Sequence, residues 1–387
     1  MPFDFDTVLD RKNTNSLKWE KYADSDIIPL WVADMDFTMP PPVYEALMER
    51  MKHPALGYTV PGESVIEATR EHLEKSYGWQ IEPEWLVWLP GVVSGLSNSC
   101  RAFGEQGDQV ITSSPIYYYF LGIAEQAGRE LVDVPLQEHN NHWSYDLEAL
   151  EIAAADPRAK LLMLCSPHNP VGRLFSAEEL QAVVAIAHKH DLVVVSDEIH
   201  DGVVLDQDKS FIPTAMACPE DSNRIVTLMS PSKTFNLAGN NCSYAVISDP
   251  DLREKFCHHA KGAISPATPL SYVALEASYR HCGQWREELL DYLRGNRDLL
   301  QATVNKLSGL RMPPLEATYL AWIDISALRL NDAPSWFEQQ ARLGLSPGEP
   351  FGNSDYVRIN LACSRTLLTE ALDRFEKAVQ ARLEELA

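Results

Sequence analysis

The chain is predicted to be an α/β protein with a mostly parallel central sheet covered by helices, followed by a smaller α+β unit. Three observations predict this. Short apolar runs alternate with amphipathic stretches through the first two-thirds of the sequence. Several of those runs, such as KLLMLC and LVVVSD, are apolar almost throughout, as strands buried on both faces are. After them the pattern shifts to long helical stretches with only two further strands.

Taken in order, the first 40 residues read as irregular and end in Pro40-Pro41-Pro42. Helical spacing fits 43–51 and 64–78. Candidate strands follow at 86–89, 109–112, 130–134, 160–165, 192–197, 224–229 and 244–248. Between two of them lies the helical stretch 176–191, where Ser176 and Glu179 have the spacing of a capping box. Helical patterns then fill 267–282 and 284–307. A strand (319–325), a helix (333–342), a strand (356–362) and a helix (366–386) complete the chain. The expected division is an N-terminal segment (1–42) packing with the small domain, a large domain (43–283) and a small C-terminal domain (284–387).

Composition narrows the functional classes. The 387 residues carry 33 Lys+Arg against 55 Asp+Glu, a formal charge of −22. So acidic a chain lacks the basic footprint for nucleic acid and is repelled by anionic membranes. No apolar run approaches the ~18 residues of a membrane span, and MPFDFDTVLDRK does not read as a signal peptide. The seven cysteines are odd in number, scattered and never spaced C-x-x-C. They read as mostly buried free thiols of a cytoplasmic protein, and no metal site is expected.

The chemistry lies at three strand ends. One strand runs into Ser166-Pro167-His168-Asn169-Pro170, another ends at Asp197 before Glu198-Ile199-His200, and a third runs into Ser230-Pro231-Ser232-Lys233. In a parallel sheet these ends share one edge, where ligands of open α/β sheets bind. An amine, a carboxylate and an amide then converge. A lysine there can form a Schiff base with a carbonyl, and pyridoxal phosphate supplies one. Its ring nitrogen needs a carboxylate, for which Asp197 is placed. Asn169 can donate to the ring's 3-oxygen. Ser230, Ser232 and a helix start at Pro90-Gly91-Val92-Val93-Ser94 offer donors for the phosphate.

These motifs, with the opening FDFDTVLDRKNTNSLKWEKY, PLWVADMDF, GYTVPG, SPIYYYF, EATYLAWID and YVRINLACS, resemble the fold type I pyridoxal-phosphate enzymes of aminotransferase class I/II. More narrowly they resemble the MalY/PatB family of cystathionine β-lyases, over essentially the whole chain. The resemblance implies that Lys233 holds the cofactor and moves protons, with Tyr117 and Tyr58 as further catalytic residues. It implies that Asp197, Asn169, His200 and a stacking Tyr117 hold the ring, and that Val92, Val93, Ser230 and Ser232 hold the phosphate. Tyr58 would reach that phosphate from the partner in a homodimer with shared sites. Arg358, with Asn169 and Tyr319, would receive the substrate, the guanidinium fork suiting its α-carboxylate. One departure stands out: Asn241 occupies the position where many superfamily members have a phosphate-binding arginine.

The expected reaction is β-elimination from L-cystathionine or a related cysteine S-conjugate, giving a thiol, pyruvate and ammonia. Two alternatives stand beside it. One is an aminotransferase on the same scaffold, and the other a cofactor-containing regulatory or binding protein with incidental lyase activity.

Overall fold

The computed structural model describes residues 3–387. Seven strands form the central sheet: β1 (Leu86–Leu89), β2 (Gln109–Thr112), β3 (Glu130–Asp133), β4 (Ala159–Cys165), β5 (Val193–Asp197), β6 (Ile225–Met229) and β7 (Ser243–Val246). Their spatial order is β1-β7-β6-β5-β4-β2-β3. Only β7 runs antiparallel to its neighbours. All seven coincide with expected runs to within a residue or two. The central strands β5 and β6 are buried at every position, whereas the edge strand β3 has no buried residue. That contrast is why the central strands read as unbroken apolar runs.

Register sets the level of the strand ends. Cys165 pairs with Asp197, and Asp197 pairs with Leu228. The loops after β4, β5 and β6 therefore leave the sheet side by side. Antiparallel β7 begins at the same edge, and β1 delivers helix α3 there.

The covering helices include α1 (Pro41–Met51), α2 (Glu63–Tyr77), α3 (Val92–Ala102), α4 (Tyr118–Gln126), α5 (Ala177–Lys189) and α6 (Pro269–His281). The predicted capping box at the start of α5 is present, with Ser176 and Glu179 bonded reciprocally. Helix α3 sits close to the sheet because Gly95 faces it. A Cβ there would lie 2.8 Å from Leu228 Cδ2 and 3.0 Å from Leu89 Cδ1.

Helix α7 (Gly283–Lys306) leads to a three-stranded antiparallel sheet of β8 (Leu320–Asp324), β9 (Ser346–Pro347) and β10 (Tyr356–Asn360), in the order β8-β10-β9. Helix α8 (Arg365–Leu386) closes the chain. The expected helix 333–342 is a short α-turn, Ala333–Trp336, continued as a π-turn, Phe337–Ala341. The early segment is irregular, as expected, apart from the short helix Leu17–Glu20 and the two-residue strand Ile28–Pro29. That strand pairs in parallel with Leu343–Gly344.

Candidate active site

A cavity of about 480 Å³ opens at the strand-end edge. The loop after β6 brings Ser230, Ser232 and Lys233 to it, β5 brings Asp197 and His200, and the loop after β4 brings Asn169. Tyr117 comes from the start of α4, and Val92, Val93 and Ser94 from the start of α3. Nine of the residues to which the family resemblance gives a role thus line one cavity.

Lys233 Nζ donates to the Ala33 carbonyl at 2.6 Å. Burial pulls its pKa down to about 8, with the Arg358 charge adding to the shift and Asp34 and Asp197 opposing it. A substantial neutral fraction therefore exists at mildly alkaline pH, which a nucleophile requires. Asp197 is 4% exposed, and among the described residues its carboxylate accepts only from Ile199 N–H, at 3.1 Å. Burial raises it to about 7, against that hydrogen bond and the Lys233 charge. A cationic group beside Asp197 would restore its ionised form. His200 is buried with Nδ1 unbonded among the described residues. Burial, reinforced by Lys233 and Arg358, pushes its pKa well below the usual histidine range, so the ring is neutral.

At the other end of the cavity, no side chain caps α3, whose N-cap is Gly91. The first-turn N–H groups are thus left for an anion. Ser230 Oγ donates to the Cys242 carbonyl at 2.7 Å and accepts from Ser232 N–H at 3.1 Å. Asn241 also lines this region, in the left-handed conformation with φ 51° that asparagine tolerates. The donors lining this end are thus neutral.

Arg358 and Tyr319 lie one contact behind the cavity wall. Arg358 Nη1 donates to Asn169 Oδ1 at 2.9 Å, and Nη2 donates to the Trp31 carbonyl at 2.9 Å. The guanidinium sits 4.7 Å from the Phe351 ring centroid. It is 4% exposed, Nε is unbonded, and no carboxylate pairs with it among the described residues. Burial lowers its pKa to about 10, which still leaves it charged at neutral pH. A buried cation with only neutral partners is a site for an anion. Tyr319 donates to the Ala33 carbonyl at 3.1 Å, and its ring meets His200 edge-on at 6.0 Å.

Tyr58 is elsewhere: its side chain is fully exposed at 107% and does not line this cavity. Sequence reasoning missed Ala33, Ile199 and Cys165, which also line it. Ile199 was within reach, lying two residues beyond Asp197. Ala33 was not, because it acts through its carbonyl.

The model of the aminotransferase class I and II family matches residues 25–375. Cystathionine beta-lyase PatB of Bacillus subtilis is 35% identical over 97% of this chain and 99% of its own. The crystal structure of OvoB superposes with a TM-score of 0.95 at 43% identity, covering 98% of this chain and 100% of that one. The PLP-bound C–S lyase from Staphylococcus hominis superposes with a TM-score of 0.92 at 31% identity, covering 97% and 98%.

Proposed function

We infer that this chain, which belongs to the aminotransferase class I and II family and within it to the MalY/PatB group, is a pyridoxal-phosphate-dependent carbon–sulfur lyase. It eliminates a thiol from L-cystathionine or a related cysteine S-conjugate, with pyruvate and ammonia as the other products. The observation that carries this reading is the meeting of Lys233, Asp197 and Asn169 in one cavity, with Arg358 unpaired by any carboxylate behind it.

The cavity fits the cofactor by its donor set. A buried carboxylate lacking a cation lies at one end, an uncapped helix start with hydroxyls at the other, and an amine with lowered pKa between them. Asp197 would hold the ring nitrogen, Asn169 the ring oxygen, and Tyr117 the ring face, with His200 close by. Val92, Val93, Ser230 and Ser232 would hold the phosphate, with the Asn241 amide replacing a charged donor. When bound, pyridoxal phosphate supplies the electron sink that lets the substrate's α-proton leave.

The chain's own residues do the rest. Arg358 binds the α-carboxylate and, with Tyr319, fixes the substrate's orientation. Lys233 Nζ takes the α-proton as general base and can return it to the departing sulfur. Asp197 stays ionised against the cofactor's ring cation. Replacing Arg358 by glutamine removes two charge-assisted hydrogen bonds, each worth about 1.5–3 kcal/mol. The expected loss in kcat/KM is about 10²–10⁴-fold, mostly as a raised KM; steady-state kinetics with KM unchanged would remove Arg358 from the substrate site.

We also propose a homodimer with shared sites. Tyr44, Met48, Leu56, Tyr58 and Val60 are all at least half exposed within one short stretch of chain. Such a concentration of apolar side chains is typical of an interface. Packing against a second copy would carry Tyr58 toward the neighbour's phosphate end. A cytoplasmic location is supported by seven free cysteines, six of them buried.

The test mixes cofactor-loaded protein with L-cystathionine and no keto acid. Equal catalytic release of pyruvate, ammonia and thiol is the expected result. Amino transfer appearing only after a keto acid is added would make the chain an aminotransferase instead.

A further inference from the structure

We propose that residues 31–37 form a strap latched by a partly buried four-charge cluster, and that Arg11 and Lys18 in that cluster are positioning residues for Lys233 and Arg358. The role assigned to Lys233 and Arg358 rests on the lyase reading above.

Lys18 has no exposed surface, and its Nζ lies 2.6 Å from Asp36 Oδ2 and 3.7 Å from Asp34 Oδ1. Arg11 bridges the same two carboxylates, with Nη1 to Asp36 and Nη2 to Asp34 both at 2.7 Å. Trp19 Nε1 donates to Asp36 Oδ1 at 2.9 Å. Two cations and two carboxylates cancel, so the cluster has no net charge to offer a ligand. Nor is added stability the best account of it, since a packed apolar cluster often stabilises as well as buried ions do. What an ion cluster does supply is a fixed geometry for the backbone that carries it.

That backbone is the part of the strap that reaches the site. The Ala33 carbonyl accepts from Lys233 Nζ at 2.6 Å and from Tyr319 at 3.1 Å. The Trp31 carbonyl accepts from Arg358 Nη2 at 2.9 Å. Asn360, on β10, donates to the Val32 and Asp34 carbonyls at 2.5 and 2.6 Å. Asn236, three residues after Lys233, accepts from Met35 N–H at 3.0 Å and donates to the Phe37 carbonyl at 2.8 Å. The strap thus ties the loop of Lys233 to the strand of Arg358. Asp34 and Asp36, two residues apart, turn their carboxylates to the cluster. Carbonyls cannot choose their own position, so the latch determines where the Lys233 amine and the Arg358 guanidinium come to rest. A displacement of about 1 Å at such groups can cost about 100-fold in rate.

The test uses full-length holoenzyme with Lys18→Met or Arg11→Gln. With L-cystathionine, kcat/KM is expected to fall about 10- to 100-fold, with kcat lowered as well as KM raised. Hydrogen exchange should accelerate at the Met35 and Asp36 amides and stay unchanged in β5 and β6. Arg11→Lys should recover part of the lost rate. Faster exchange at unchanged kcat and KM would overturn the positioning role, because a merely structural latch behaves that way. If Lys18→Met does not fold, Arg11→Gln decides, since that side chain is 23% exposed and tolerates change more readily. If the wild-type protein releases no pyruvate, the lyase reading fails by itself. The exchange arm still tests the strap, and unchanged exchange in Arg11→Gln overturns it.

Discussion

Lys233→Ala is expected to lower pyruvate release from L-cystathionine by at least about a thousandfold. General acid–base transfer contributes about 10²–10⁴-fold by itself, and the variant also loses the amine proposed to hold the cofactor. The fold should survive, because among the described residues Nζ makes a single hydrogen bond, to the Ala33 carbonyl. Pyruvate measured over many turnovers per site checks this; residual activity above about a tenth would assign the base elsewhere. The wild-type amine also has a pH signature. Its pKa of about 8 means that the neutral form grows as pH rises through 8. An ordinary lysine is less than about 1% neutral at that pH. Capture of pyridoxal phosphate by cofactor-free protein should accelerate with pH and level off above about 8. Lys233→Ala should capture none covalently at any pH.

The second large effect belongs to Asp197. Asparagine preserves the shape and can still accept from Ile199 N–H, but it carries no charge. The buried carboxylate has no salt-bridge partner among the described residues, so the charge it can give to a cationic ring nitrogen is undiluted. Losing a buried charge pair costs about 3–5 kcal/mol. Asp197→Asn should therefore lower kcat by about 10²–10⁴-fold and weaken cofactor retention measurably, with little change in KM. Stopped turnover with the cofactor still tightly held would separate the electronic role from the binding role. Wild-type kcat in this variant would exclude both.

Much of this was legible in the sequence for a definite reason. Strands buried on both faces must be apolar at nearly every position, so β4, β5 and β6 stood out as runs. Chemistry placed at their ends stood out because Asn169, Asp197 and Lys233 interrupt those runs with polar side chains. The π-turn at Phe337–Ala341 was missed because its side chains still follow a helical apolar pattern. The strap was missed for a different reason. WVADMDF was singled out as a motif, but its contacts with Lys233, Tyr319 and Arg358 are made by peptide carbonyls, which every residue possesses. Nor could the opening DRKNTNSLKW be connected with it, because an ion pair between Lys18 and Asp36 leaves no periodic trace. Tyr58 illustrates the remaining gap, since nothing in GYTVPG shows that its side chain stands fully exposed, away from the cavity.

The strand-end arrangement also bears on the order in which the protein is made. Apart from Ala33, every residue lining the cavity falls between positions 90 and 242. Arg358 is synthesised more than a hundred residues later. Domains generally fold as units during synthesis, N-terminal parts first. A growing chain therefore carries every cavity-lining side chain before the Arg358 guanidinium exists, so the cavity wall is complete in sequence well ahead of the cation behind it.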